Sequence, residues 1–245
     1  LYLQYDRPLA EEERAALRPL LRRRGRREPL QYVVGRAAFR ELDLAVDPRV
    51  LIPRPETEVL VQVVLDEVGD EGPIRAVDVG TGSGCIALSL LREGPFERVV
   101  AIDASEDALQ VARANVGLLD PSDAAGLELR CGLGFEPLGH GERFDVIVSN
   151  PPSVAAGDES DLAPEIREWE PRLALYAGPT GFDVLDALVA GAPDHLSAGG
   201  LLALEVGDGQ ARALAGRIEE SGRYRSCSLH RDLSGRTRIV AARTA

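Results

Sequence analysis

Two spacings of apolar residues alternate along most of the chain. Ile74-Arg75-Ala76-Val77-Asp78-Val79, Val99 to Asp103, Leu127 to Arg130, Phe144 to Ser149 and Gly200 to Val206 are short, mostly apolar runs that read as buried strands. Between them, apolar positions recur every three or four residues. That spacing predicts helices at Thr57 to Val68 (Val59, Leu60, Val63, Val64, Leu65), Cys85 to Arg92, Ala108 to Val116, residues 182–196 and Gln210 to Ser221. Two closing strands are expected near 224–230 and 237–243. Strand–helix alternation of this kind predicts an α/β fold: a parallel sheet with helices on both faces, its ligands lying beyond the strand C-termini.

The first 52 residues follow other patterns. Pro8-Leu9-Ala10-Glu11-Glu12-Glu13 resembles a helix start with acids in its first turn, followed by Leu17, Leu20 and Leu21 on one side. The Arg22–Arg27 run reads as the solvated end of that helix, where cations meet its negative pole. Residues 31–52 alternate at Phe39, Leu42, Leu44 and Val46, which predicts a short hairpin. Asp47-Pro48 supplies a turn, and the chain then enters Pro53-Arg54-Pro55-Glu56-Thr57-Glu58. No internal repeat or low-complexity tract is present.

With 245 residues and 44% apolar content, the chain suits one catalytic domain plus a small extra piece, and a disordered or fibrous chain is excluded. No apolar run approaches the roughly 18 residues of a membrane helix. The absence of Met and the Leu1 start read as a trimmed chain. The 28 basic residues are all Arg, and against 40 acids they leave a net charge of -12. A protein gripping nucleic acid by its phosphates shows a basic face, so direct nucleic-acid binding is not expected, whereas an acidic surface suits a basic protein partner. Cys85, Cys131 and Cys227 are widely spaced and do not group with His140, His195 or His230, so neither a disulfide framework nor a metal site is expected; a reducing cytoplasm fits.

Gly80-Thr81-Gly82-Ser83-Gly84 follows an apolar strand and opens a helix. Glycines there let the backbone turn sharply and approach a ligand closely, with N–H groups at the helix N-terminus. The spacing is G-x-G-x-G and not the G-x-G-x-x-G of dinucleotide binders. Asp78 stands just before the loop, where a carboxylate can meet a cationic or amine group. Asp103 ends the next strand, where an acid commonly accepts hydrogen bonds from two ribose hydroxyls; the alternative is that it caps the following helix together with Ser105. Such a ribose belongs to both S-adenosylmethionine and NAD.

Ser149-Asn150-Pro151-Pro152 closes another strand at the same edge. The two prolines fix φ and remove two N–H donors, leaving carbonyls nearby without local partners, and Asn150 adds a side-chain carbonyl.

Taken together, these residues resemble the HemK/PrmC family, the protein-(glutamine-N5) methyltransferases that modify the Gly-Gly-Gln loop of peptide chain release factors. The resemblance is carried by Gln31-Tyr32-Val33-Val34-Gly35, by Leu51 through Glu58, by Asp78 through Gly84 and by Ser149 through Pro152. Glu170-Pro171-Arg172-Leu173-Ala174-Leu175 and Arg231 through Arg236 resemble later blocks of the family. The resemblance implies a class I S-adenosylmethionine-dependent methyltransferase: a Rossmann-like, seven-stranded, mostly parallel sheet. It divides the chain into a remnant of a helical substrate-binding domain (1–30), a β-hairpin linker (31–52) and the catalytic domain (53–245). It implies that Asp78, Gly80, Thr81, Gly82, Ser83, Gly84, Asp103, Gly134 and Asn150 bind the cofactor. Asn150 and Pro151 are the implied catalytic pair, with Pro152 and Ser153 also facing substrate and residues 53–58 packing over the site. The expected partner is a release factor, with no nucleic acid, no membrane and a monomeric chain.

Two positions depart from the family. Ser153 stands where an aromatic residue, usually Tyr, follows Asn-Pro-Pro, and Leu133-Gly134 stands where an Asp and a large residue commonly lie near the adenine. Trp169 is a candidate to replace the missing aromatic. These departures keep open a cofactor-binding homologue with weakened or lost catalysis. Further alternatives are a ribosomal-protein glutamine methyltransferase, which shares Asn-Pro-Pro but not Arg-Pro-Glu-Thr-Glu, and a DNA adenine-N6 methyltransferase. Glu205 reads as a capping or surface acid, Cys85 as a small packed residue, and His195 and His230 as surface residues.

Overall fold

A computed structural model describes residues 7–70 and 72–245. The expected remnant at 1–30 therefore falls partly outside the described residues. The first helix, α1 (Glu11–Gly25), places Glu11, Glu12 and Glu13 in its first turn and Arg22, Arg23 and Arg24 in its last, so both ends oppose the helix dipole. Glu13 also accepts a hydrogen bond from the Ala10 N–H (2.8 Å). No residue of α1 is buried, and Leu17 and Leu21 are exposed. The helix is held at its C-terminal end instead. Arg23 binds Glu28 and the carbonyls of Tyr32 and Val33, and Arg24 and Arg27 both reach Glu165.

The segment 31–52 holds more than a hairpin. A single helical turn, α2 (Leu30–Val34), precedes strands β1 (Arg36–Phe39) and β2 (Leu42–Ala45), with Gly35 in the left-handed region at φ 74° where the chain leaves the helix. The hairpin does not stand apart. Phe39, Leu42, Leu44 and Val46 are buried in the same core as the helices that follow.

Next come α3 (Pro55–Val68), β3 (Ile74–Val79), α4 (Cys85–Glu93), β4 (Phe96–Asp103), α5 (Glu106–Asn115), α6 (Pro121–Ala124), β5 (Leu127–Cys131) and β6 (Phe144–Ser149). The chain closes with α7 (Pro164–Trp169), α8 (Asp183–Gly191), β7 (Leu196–Glu205), α9 (Ala211–Ser221), β8 (Tyr224–Arg231) and β9 (Thr237–Thr244). The helix expected over 182–196 stops at Gly191. Pro193 lacks the N–H that would extend it, a single 3-10 turn follows, and β7 begins at Leu196 because that residue pairs with Phe144.

Seven strands form one sheet in the order β5-β4-β3-β6-β7-β9-β8, parallel except where β9 runs antiparallel to β7 and β8. Alternate side chains feed two cores. Ala76, Val146, Val148 and Ala203 face α3, α4 and α5, whereas Val77, Ile147, Leu202 and Val240 face α8 and α9. Central strands buried on both faces explain the continuous apolar runs. The C-termini of β3, β4, β6 and β7 consequently open on one edge.

Candidate active site

The glycine loop joins β3 to α4 at that edge. Gly80, Gly82 and Gly84 all have positive φ (76°, 55° and 84°), and at Gly80 and Gly82 no atom lies within 4 Å of where a Cβ would be. A side chain there would be strained and would fill open space beside the loop. The loop is tied down from within. Gly80 and Thr81 donate to the Ile102 carbonyl (2.8 and 2.9 Å), Gly82 donates to Asp103 Oδ2 (2.8 Å) and Gly84 to the Thr81 carbonyl (2.9 Å). These N–H groups, expected from the sequence to face a ligand, are engaged within the protein and do not form a phosphate cradle.

Asp78 explains how the start of α4 is satisfied. It is fully buried, and its Oδ2 accepts from Thr81 Oγ1 (2.6 Å) and from the Ala87 N–H (3.2 Å). It is not among the residues that line the cavity and supports the loop from beneath. Strand alternation turns its side chain under the loop, where a carboxyl group meets the helix N-terminus from inside. Burial pushes its pKa up to about 7, against the hydrogen bonds that lower it.

Asp103 does line the cavity. Its Oδ2 holds Gly82 and its Oδ1 accepts from Ser105 N–H (2.9 Å), while Ser105 itself caps α5 through Ala108 N–H (3.2 Å). Each carboxylate oxygen retains acceptor capacity beyond these bonds. Burial raises the Asp103 pKa.

At the end of β6, Ser149 is buried and donates to the Val79 carbonyl (2.6 Å), which fastens Asn150 beside the glycine loop. Asn150 Nδ2 donates to Thr57 Oγ1 (2.9 Å), and Thr57 Oγ1 donates to Glu205 Oε2 (2.7 Å). Among the described residues none donates to Asn150 Oδ1. Pro151 and Pro152 continue the wall. Ser153 does not. Its N–H donates to the Leu175 carbonyl (3.2 Å) and its carbonyl accepts from Gln210 Nε2 (3.0 Å), so position 153 belongs to the packing behind the wall.

Three further residues of the site left no local signal in the sequence. Glu205, read as a surface acid, is buried at the end of β7 with its pKa pushed up to about 7 by desolvation. Tyr176, brought beside Asn-Pro-Pro by a bridge with Val154, presents an aromatic ring to the cavity, with the Arg172 guanidinium carbon 4.5 Å from its centroid. Trp169 lies off the wall and packs against the core. The third, Asn115, is buried in α5; it bonds Ala45 N–H and carbonyl and the Ser83 carbonyl, stapling the hairpin to the glycine loop.

The cavity these groups enclose is about 540 Å³, within the range of small-molecule sites. Thr81, Ser83, Gly134 and the exposed Leu133 complete it, and Pro53 and Arg54 form its roof. Cys85 also touches it, but burial pushes the thiol up to about 12, which suits packing and not nucleophilic attack. An acid with spare acceptor capacity at a strand end suits a ribose diol. With four of the five N–H groups of residues 80–84 already committed within the protein, the loop suits a cofactor that has no phosphate to hold. The site therefore fits S-adenosylmethionine better than a dinucleotide.

A family profile described as a methyltransferase small domain matches residues 55–167, and one described as a PrmC N-terminal domain matches residues 1–35. The release factor glutamine methyltransferase of Geobacter sulfurreducens is 42% identical over 243 residues, covering 99% of this chain and 83% of its own. That of Cereibacter sphaeroides is 43% identical over 244 residues, covering 99% and 84%. Among solved structures, a methyltransferase from Pyrococcus furiosus matches 84% of this chain and 90% of its own with a TM-score of 0.60 at 20% identity. The T. thermophilus 16S rRNA N2 G1207 methyltransferase, in complex with AdoMet and guanosine, matches 86% of this chain and 50% of its own with a TM-score of 0.58 at 19% identity. These two structures share the fold.

Proposed function

The chain belongs to the release factor glutamine methyltransferases, and we propose that Asn150 and Pro151 hold the substrate carboxamide while the cavity beside them holds the methyl donor. The protein is an S-adenosylmethionine-dependent methyltransferase acting on a release factor glutamine. We take the target to be the side-chain N5 of the glutamine in the Gly-Gly-Gln loop. The division into 1–30, 31–52 and 53–245, a monomeric state, a cytoplasmic setting and the absence of direct nucleic-acid contact belong to the same reading. Among the described residues no helix is long and apolar enough to cross a membrane.

A carboxamide nitrogen is a poor nucleophile because its lone pair is delocalised into the carbonyl. Its two N–H groups are therefore the handles. Asn150 Oδ1 and the Pro151 carbonyl accept them and fix the plane of the amide, so that the face of the nitrogen is turned toward the cavity. Asp103 accepts from the cofactor's ribose hydroxyls, and Gly80, Thr81, Gly82, Ser83, Gly84 and Gly134 shape the space around it. S-adenosylmethionine supplies an electrophilic methyl group on a positively charged sulfur that is its own leaving group. Orientation of this kind is worth on the order of 7–11 kcal/mol of a barrier. Pro152 and the ring of Tyr176 supply the flat apolar wall that Ser153 lacks.

The observation that carries this reading is the polarity of Asn150: its Nδ2 is committed to Thr57, which leaves Oδ1 as the acceptor on the cavity wall. Mass spectrometry of a tryptic digest of release factor, after incubation with the protein and S-adenosylmethionine, tests it. One added methyl on the glutamine of the Gly-Gly-Gln peptide is expected, lost in Asn150→Ala. An unmodified peptide from the wild-type reaction rejects the function.

A further inference from the structure

Thr57 and Glu205 lie outside the substrate contacts proposed above, yet Thr57 bonds Asn150 directly and Glu205 bonds Thr57. The three residues come from the first turn of α3, the end of β7 and the end of β6. Register brings two of them together: Ser149 pairs with Leu204, so Asn150 and Glu205 are the next positions on adjacent parallel strands. Thr57 sits between them, with hydrogen bonds of 2.9 Å from Asn150 Nδ2 and 2.7 Å to Glu205 Oε2. Thr57 is 2% exposed and Glu205 9%.

The chemistry of the chain of bonds gives it a direction. The two ends of an asparagine amide have nearly the same shape, so packing alone selects neither orientation. An ionised carboxylate only accepts hydrogen bonds. In its ionised form Glu205, at the far end, therefore accepts a hydrogen bond from the Thr57 hydroxyl, as the 2.7 Å contact has it, and the hydroxyl's lone pairs are left facing Asn150. Only the Nδ2 end of Asn150 satisfies them, and Oδ1 is turned to the cavity. In the reversed orientation an NH2 group would meet the two N–H donors of a substrate amide, donor against donor.

Resting on the reading that Asn150 Oδ1 accepts from the substrate amide, we propose that Thr57 and Glu205 are positioning residues that fix the polarity of Asn150 for catalysis. Glu205 is buried with the Thr57 hydroxyl as its hydrogen-bond donor, an expensive placement for an acid. Its position under the catalytic asparagine gives that burial a use.

The test is a set of variants assayed with release factor and S-adenosylmethionine. Thr57→Val removes the hydroxyl and keeps the shape. Its kcat is expected to fall roughly ten- to a hundredfold, the equivalent of one buried polar group left unpaired. KM for release factor and the calorimetric Kd for S-adenosylmethionine are expected to stay within about twofold, since neither Thr57 nor Glu205 is assigned to binding. Thr57→Ser, which restores the hydroxyl, is expected to recover most of kcat. Independently of turnover, NMR hydrogen exchange at the Asn150 side-chain amide should be slowed in wild type and Thr57→Ser and fast in Glu205→Gln, whose new amide can reverse the chain. Unchanged kcat in Thr57→Val, or equal exchange at Asn150 in all variants, overturns the proposal. A wild-type protein that methylates no release factor overturns the functional reading beneath it, while the exchange measurement still judges the hydrogen-bond chain.

Discussion

Arg54 holds both carboxylate oxygens of Glu170 through one guanidinium nitrogen, at 2.6 and 2.8 Å, across 116 residues of sequence. The pair joins the proline-rich segment before α3 to the segment after α7, and Arg54 is part of the cavity roof. The Glu170 side chain is 1% exposed, and burial holds its pKa above the usual carboxylate value even with the arginine beside it. Removing one partner strands the other. Arg54→Ala is expected to destabilise the fold by about 3 kcal/mol by urea denaturation. Arg54→Met with Glu170→Leu is expected to regain most of that stability, since the buried carboxylate and its half-buried partner are replaced by apolar packing. A double variant no more stable than Arg54→Ala would mean the pair is not energetically coupled.

Asp78 is expected to shape the pH dependence of stability. Its pKa rises from the ordinary 3.8 to about 7 on folding, so the folded state binds the proton more tightly than the unfolded chain. Stability from this group is fully present below about pH 4 and is lost as pH rises to about 7. Glu205, also pushed to about 7, contributes with the same sign. His195, whose pKa is lowered by burial, acts in the opposite sense as pH rises through the same range. The difference between wild type and Asp78→Asn isolates the first group. Urea denaturation at pH 5 and pH 8 is expected to show the variant losing less stability between the two, by on the order of 2 kcal/mol. Parallel slopes would show that Asp78 does not titrate there.

Tyr176 tests the wall of the substrate site. Its hydroxyl is buried without a hydrogen-bond partner, so the ring is the useful part. Tyr176→Phe is expected to keep kcat/KM for release factor, and Tyr176→Ala to lower it roughly three- to tenfold, the scale of one aromatic contact. Equal activity of wild type and Tyr176→Ala would remove Tyr176 from the site.

Asp103 serves the cofactor and the loop at once. Asp103→Asn offers an NH2 to one of the two backbone donors that the carboxylate now accepts, and weakens its grip on a ribose diol. Titration calorimetry is expected to show S-adenosylmethionine binding at least roughly tenfold weaker, about 1.4 kcal/mol. Affinity equal to wild type would place the ribose elsewhere.

The elements that were legible in the sequence were those whose signals are local. A buried parallel strand needs an unbroken apolar run, a tight turn needs glycines at positive φ, and consecutive prolines force an extended corner. Residues 74–84 and 144–152 carry these requirements in neighbouring positions, so strand, loop and corner follow from reading along the chain. Apolar spacing over 182–196 runs past Pro193 and so overstates the helix, which ends at Gly191, and the strand pairing that claims Leu196 comes from Phe144.

Which way the polar side chains face was decided by the tertiary structure. Asp78 and Asp103 look alike in sequence, each an acid at or near a strand end, but strand alternation and α4 place one beneath the glycine loop and the other on the cavity. Ser153 follows directly on Asn-Pro-Pro yet turns away, while Tyr176 reaches the wall through a bridge with Val154. Thr57, Asn150 and Glu205 meet only when α3 is laid against the ends of β6 and β7. Contacts between residues about 90 or 150 positions apart leave no periodic trace, because they depend on register and packing and not on the conformational preferences of neighbours.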